Sequence, residues 1–228
     1  MTPVNAGVHT RVNLSVLAHS EKRALIWIAR RLPRSINSDH LSLLGLLAMA
    51  TAGLSFAAYP VTDWAALGVV VSLGANWFGD SLDGTLARVR HKERPRYGYY
   101  VDHVLDAVGF VALFGGLILG GHMSQTLGLG FIAAYFLLVV EIALATHARG
   151  TFRLSAWGLG PTELRIVLAI GTLQLMRTDF VSVFGHRWLL FDVGGAVGIA
   201  GLLLTFVIGA VTNGVALYKE ERLPRADG

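Results

Sequence analysis

The sequence predicts an all-α integral membrane protein, with six transmembrane helices preceded by an amphipathic interfacial helix. Three observations lead there. The chain of 228 residues is 54% hydrophobic and only 15% charged, with a mean hydropathy of +0.56, whereas charged residues make up about a quarter of an ordinary soluble domain. The apolar residues fall in blocks of about 20, long enough to cross a bilayer as helices. The blocks are continuously apolar rather than alternating, which excludes a lipid-facing β-barrel.

In chain order, the first predicted element is EKRALIWIARRLPR (21–34), which sets Leu25, Ile28 and Leu32 at helical spacing among basic residues. It reads as an amphipathic helix on the membrane surface. A charged flank that merely orients the first span is the alternative. Six spans follow, at about 38–58, 64–88, 98–121, 125–147, 161–178 and 188–216. Turn signals separate them, among them Tyr59-Pro60, Gly120-Gly121 and the stretch from Gly158 to Pro161. The expected organisation is a cytoplasmic segment over 1–34, a transmembrane catalytic unit over 35–217 and a cytoplasmic tail over 218–228. No internal repeat is visible. The absence of cysteine excludes disulfides and thiolate metal sites. The first 20 residues are polar and lack the apolar core of a cleavable signal peptide, so insertion is expected to rest on the spans.

Lys and Arg predict the orientation. Arg11, Lys22, Arg23, Arg30, Arg31 and Arg34 precede the first span, and Arg88, Arg90, Lys92, Arg94 and Arg96 fill the second connection. Arg149 and Arg153 follow the fourth span, and Lys219, Arg222 and Arg225 lie in the tail, while the opposite side holds only Arg177 and Arg187. That asymmetry puts both termini and the second and fourth connections in the cytoplasm, in a cell inner membrane or plasma membrane.

The stretch GDSLDGTLAR (79–88) ends the second span with two aspartates, which are costly at membrane depth and usually persist for a function. At roughly 100° per residue, Asn76, Asp80, Asp83, Gly84 and Ala87 fall within about a third of a helix circumference. YGYYVDHVLDA opens the third span and puts Gly98, Asp102 and Asp106 on a second stripe. A short connection makes these spans antiparallel neighbours, so four carboxylates can converge near the cytoplasmic end. Such a group needs a balancing cation. Its oxygen-only donors favour Mg²⁺, Mn²⁺ or Ca²⁺ over zinc or copper, and two such ions suit phosphoryl transfer. Gly84 and Ala87 leave room for a ligand, and Arg88 offers a planar fork for phosphate. Helix capping or pairing with loop arginines would explain one such aspartate, but hardly four in register.

DSLDGTLAR (80–88), followed by Gly98, Asp102 and Asp106, resembles the signature of the CDP-alcohol phosphotransferases: D-x2-D-G-x2-A-R, about eight residues, then G-x3-D-x3-D. Here nine residues, Val89 to Tyr97, fill the gap. Fainter likenesses are SDHLSLLGL (38–46) and GPTELR (160–165). The resemblance implies a six-helix membrane enzyme of phospholipid synthesis, often a homodimer. It implies that Asp80, Asp83, Asp102 and Asp106 hold Mg²⁺ or Mn²⁺, two ions per site, with Asp106 also the general base. It assigns Asp80, Gly84, Ala87, Arg88 and Gly98 to the nucleotide. The implied reaction moves a phosphate-linked group, as from CDP-diacylglycerol, to the hydroxyl of a polar alcohol such as inositol phosphate or glycerol phosphate, with release of CMP. The expected partners are a CDP-linked lipid donor, a small polar alcohol and membrane lipids, with no nucleic acid. A CDP-amino-alcohol donor with a lipid acceptor is the alternative within the family. A divalent-cation or proton-coupled transporter is the rival class, weakened by the position of the carboxylates toward one face.

For a phosphorylated acceptor, Arg149, Arg153 and Arg165 are the candidate cations. Positive-inside flanking competes for the first two, and snorkelling or pairing for Arg165. His103 either orients a carboxylate or packs between helices. Glu141, deep in the fourth span, reads first as a structural pairing residue.

Overall fold

The computed structural model describes residues 18–62, 64–149 and 161–221. Seven helices run in order: α1 (Ala18–Ala29), α2 (Ser38–Ala58), α3 (Trp64–Val89), α4 (Pro95–Leu119), α5 (Gln125–Arg149), α6 (Pro161–Leu175) and α7 (Leu190–Glu220). Between α6 and α7 lies a hairpin of β1 (Phe180–Val183) and β2 (His186–Leu189). Four of the helices, α2, α4, α5 and α7, are long and apolar enough to cross a membrane. The other two expected spans differ in kind. The 26 residues of α3 include the polar site end. The 15 residues of α6 rise about 22 Å, so to cross a hydrocarbon core of roughly 30 Å this helix would need the residues that flank it.

Helix ends follow local chemistry. The Asn37 side chain accepts a hydrogen bond from the His40 amide at 2.9 Å, starting α2, and Asp39 sits in its first turn, where a negative charge suits the helix dipole. Pro95 opens α4, placing Gly98 inside the first turns of the helix rather than at its start. The end of α3 accommodates the long connection. Lys92 N–H donates to Ala87 O at 2.9 Å and His91 N–H to Arg88 O at 3.2 Å, with His91 at φ 53°. This is a Schellman cap, with histidine in the left-handed position that glycine usually takes.

The hairpin was not foreseen. Its antiparallel register pairs Val183 with His186 across Phe184 and Gly185, both at positive φ, as a type I′ turn requires. Exposure alternates along FVSV, but its only polar residue is Ser182, a signal too short to separate from the adjoining spans.

Packing centres on α2, which contacts α3 and α4 most extensively, while α5 lies on α7 and α6 on α3. Membrane helices gain little hydrophobic drive from each other and associate through close contact of small residues. Gly79 of α3 seats against Leu41 O and Gly45 of α2, where a Cβ would lie only 2.5 Å from that carbonyl. Gly116 of α4 meets the backbone of Gly53 in the same way. A core of Phe56, Val69, Leu73, Leu113 and Leu117 fills the space between these contacts. Phe110 stacks on Tyr135 of α5 at 3.8 Å. Leu54, Val71, Leu119, Ile170 and Val197 face outward, as lipid-facing residues would.

A helix, α1, forms over much of the segment expected to lie on the membrane surface, but its apolar side turns to protein. Leu25 and Ala29 are buried with Leu41, Leu82 and Leu86, and Trp27 is exposed beneath the Arg31 guanidinium at 3.9 Å. Arg90 ties the following connection to α3 through the carbonyls of Leu32 (2.8 Å), Pro33 (3.0 Å) and Ile36.

Two outcomes follow from these contacts. Gly116→Leu is expected to lower stability by about 3 kcal/mol or more, since backbone rather than a flexible side chain fills the space. His91→Gly is expected to raise it by up to about 1 kcal/mol. Thermal unfolding of detergent-solubilised protein reads both.

Candidate active site: a carboxylate cluster between α3 and α4

One end of the bundle gathers the C-terminal part of α3, the N-terminal half of α4, and the starts of α2 and α6. There, one carboxylate oxygen from each of Asp80, Asp102 and Asp106 lies within 4.8 Å of the other two. Asp80 and Asp102 are half-buried and Asp106 is exposed. The two helical stripes read from the sequence therefore do face each other.

Asp83 stands apart. Its Oδ2 accepts from Ser42 Oγ at 2.6 Å, its Oδ1 from Gly84 N–H at 2.5 Å, and its carbonyl from Ser38 Oγ at 2.6 Å. Each carboxylate oxygen keeps a lone pair beyond these bonds, so Asp83 remains able to ligate. Ser38 and Ser42 were not singled out from the sequence; their spacing of four on α2 is the signal that could have found them.

The nearest cation comes from another helix. Arg165 of α6 donates from Nη2 to Asp80 Oδ2 at 2.5 Å and from Nε to Asn76 Oδ1 at 2.7 Å. Asn76, fully inside, donates in turn to Gly45 O at 3.0 Å. Arg165 Nη1 is buried without a hydrogen-bond partner. Of the roles open to Arg165, pairing is thus observed, with one donor left over.

The remaining candidates divide. Arg88 is exposed, donates to Thr85 Oγ1 at 3.1 Å, and lies over Gly84, where a Cβ would sit 3.5 Å from Nη1. A Cβ at Gly98 would meet nothing within 4 Å. Ala87 lines a cavity of about 450 Å³ with four cations, Arg34, Arg90, Lys92 and Arg94, and two carboxylates, Asp39 and Glu93. Arg94 also pairs with Asp39. Arg149 turns to α7, donating to Asn213 Oδ1 at 2.7 Å and standing 3.9 Å from Glu220. Asn213 donates to Glu141 Oε1 at 2.7 Å, so Glu141 is a pairing residue between α5 and α7. Arg153 lies outside the described residues. His103 Nδ1 lies 2.8 Å from Tyr99 O and its ring packs on Tyr99 at 4.1 Å, with Asp102 at 4.0 Å.

Hard-oxygen donors converging from two helices are the kind of group that suits a divalent cation. The family comparison agrees. The chain belongs to the CDP-alcohol phosphatidyltransferase family, whose model matches residues 37–207, from the cap of α2 well into α7. It is therefore a membrane transferase of a kind that moves a phosphate-containing group from a CDP-alcohol to an acceptor alcohol, in a family that uses divalent metal ions. No curated protein matches the chain.

The Asp80–Arg165 pair is largely withdrawn from water, with side-chain exposures of 22% and 14%. Removing one partner leaves the other charge uncompensated, so Arg165→Met is expected to destabilise the fold by about 3 kcal/mol. A lysine reproduces neither the fork nor the bond to Asn76, so Arg165→Lys is expected to recover less than half of that. Melting of the two variants beside an Asp80→Asn/Arg165→Met double variant, whose cost should fall well below the sum, checks the coupling.

Proposed function

We propose that the protein transfers a phosphatidyl group from CDP-diacylglycerol to the hydroxyl of a small polar alcohol, such as inositol phosphate or glycerol phosphate, and releases CMP. The observation that carries this reading is the convergence of Asp80, Asp102 and Asp106 beside an arginine with a spare buried donor. Three acidic groups this close suit a bound cation, and the free Nη1 of Arg165 suits an anionic oxygen of a phosphorylated acceptor.

In this reading Asp80, Asp83, Asp102 and Asp106 hold Mg²⁺ or Mn²⁺, two ions per site. When bound, such ions neutralise the diphosphate and stabilise the departing CMP. Gly84, Ala87, Arg88 and Gly98, with Asp80, receive the nucleotide, and the open space at Gly98 and the cavity at Ala87, whose lining has more cations than carboxylates, favour it. Asp106, the most open of the three clustered carboxylates, takes the proton of the acceptor hydroxyl. The hydroxyl oxygen then forms a bond to the lipid-linked phosphorus as the bond from that phosphorus to CMP breaks. The Arg88 guanidinium meets the negative charge that develops.

The proposal includes six crossings, α2 to α7, with residues 35–217 as the membrane catalytic unit. It puts 1–34, 218–228 and the site on the cytoplasmic side, as the Lys and Arg distribution favours. The acyl chains of the donor then stay in the bilayer. A homodimer, as the family resemblance implies, belongs to the same proposal. Arg149, held by α7, is a weaker acceptor residue than Arg165; Arg153 stays a candidate on sequence grounds.

Purified protein with Mg²⁺ or Mn²⁺ and CDP-diacylglycerol is expected to release CMP with at least one of inositol phosphate, glycerol phosphate, inositol, serine or an amino-alcohol. Chelation should abolish release, and Asp106→Asn should slow it by about 100-fold or more. No CMP from any donor and acceptor pair, or an unchanged rate in Asp106→Asn, overturns the proposal.

A further inference from the structure

Outside the carboxylate cluster, one acidic side chain joins three helices at the same end of the bundle. Glu21, in the first turn of α1, uses a single oxygen, Oε1, to accept from three donors. Trp77 Nε1 donates at 2.7 Å and Ser81 Oγ at 3.4 Å, both from α3, and Thr162 Oγ1 donates at 2.9 Å from the first turn of α6. Ser81 adjoins Asp80, and Thr162 lies one helical turn before Arg165. The bonds from Glu21 thus flank the Arg165–Asp80 contact.

We propose that Glu21 is a positioning residue of the transfer site, clamping α6 to α3 so that Arg165 is held against Asp80. Among the described residues α6 packs chiefly on α3 and more slightly on α7, with Leu168 and Leu175 in a core that includes Val69 and Leu73 of α3. Polar ties between α3 and α6 include the two Arg165 bonds and the shared Glu21 oxygen. The clamp itself is anchored, because Leu25 and Ala29 bury one side of α1 against Leu82 and Leu86 of α3. The role depends on an acceptor oxygen rather than on charge, since all three partners are neutral donors. Glutamine can therefore replace glutamate, whereas alanine cannot.

The inference rests on the transferase reading for its effect on rate but not for its geometry, and the test separates the two. The chain has no cysteine, so spin labels at Val71→Cys on α3 and Leu164→Cys on α6, both outward-facing, report the α3–α6 distance without turnover. Pulsed EPR is expected to show a broadened distribution in Glu21→Ala and in Thr162→Val, which removes only the α6 link. Glu21→Gln should match the parent. In CMP-release assays on unlabelled protein, kcat should fall about tenfold in the Ala and Val variants. KM for the CDP-linked donor should stay within about twofold, because the nucleotide groups lie on α3 and α4, and Glu21→Gln should restore kcat. Parent-like distances in both Glu21→Ala and Thr162→Val, or no recovery by Glu21→Gln, overturn the clamp. Broadened distances in a protein that releases CMP with no donor and acceptor pair sink the transferase reading and leave the clamp standing.

Discussion

Everything at the site depends on how closely α2 lets its two neighbours approach. Helices in a bilayer are not driven together by water, so the gain must come from contact itself. Gly79 seated on Leu41 and Gly45, and Gly116 seated on Gly53, bring α3 and α4 against α2 with backbone touching backbone. With both held to one common helix, their relative rotation is set, and the aspartate stripes of α3 and α4 face each other. A side chain at either contact would push a helix outward and separate the carboxylates. Packing and chemistry therefore share one cause.

Bringing acids together creates an electrostatic problem, and the surrounding residues answer it in two ways. Asp83 is held by hydroxyl and amide donors, from Ser42 and Gly84, which stabilise charge without adding any. Asp80 instead meets the full charge of Arg165. In surroundings that screen poorly, both bonds are stronger than in water and costlier to lose. Asp106, exposed where Asp80 and Asp102 are half-buried, is the most open member of the cluster. That difference suits a site in which some carboxylates fix the geometry while another exchanges a proton.

Several residues had a local signal that could be read in more than one way. The extra residue between Arg88 and Gly98 resolves into a helix cap: His91 takes the left-handed position, α4 begins at Pro95, and both stripes survive. Arg90 looked like one more positive charge on the cytoplasmic side, yet it binds three carbonyls of the α1–α2 connection. Arg149 and Arg165 are both acceptor candidates on sequence grounds, with flanking favoured for the first, and the fold turns the first to α7 and the second to Asp80. The apolar positions of α1 were legible, but not that protein rather than lipid covers Leu25 and Ala29.

The sequence alone determined the helices, the two aspartate stripes and the chemistry their oxygen donors favour. Hydropathy and helical periodicity are local properties, so the bounds of α2 to α5 fall within a few residues of those read from the chain. Tertiary structure alone decided the partners. Asp80 meets an arginine 85 residues away, and Glu21 meets Thr162 across 141. Such choices depend on which helices cross and at what rotation, and many arginines and hydroxyls along the chain carry the same local signal. Only the packed bundle distinguishes among them.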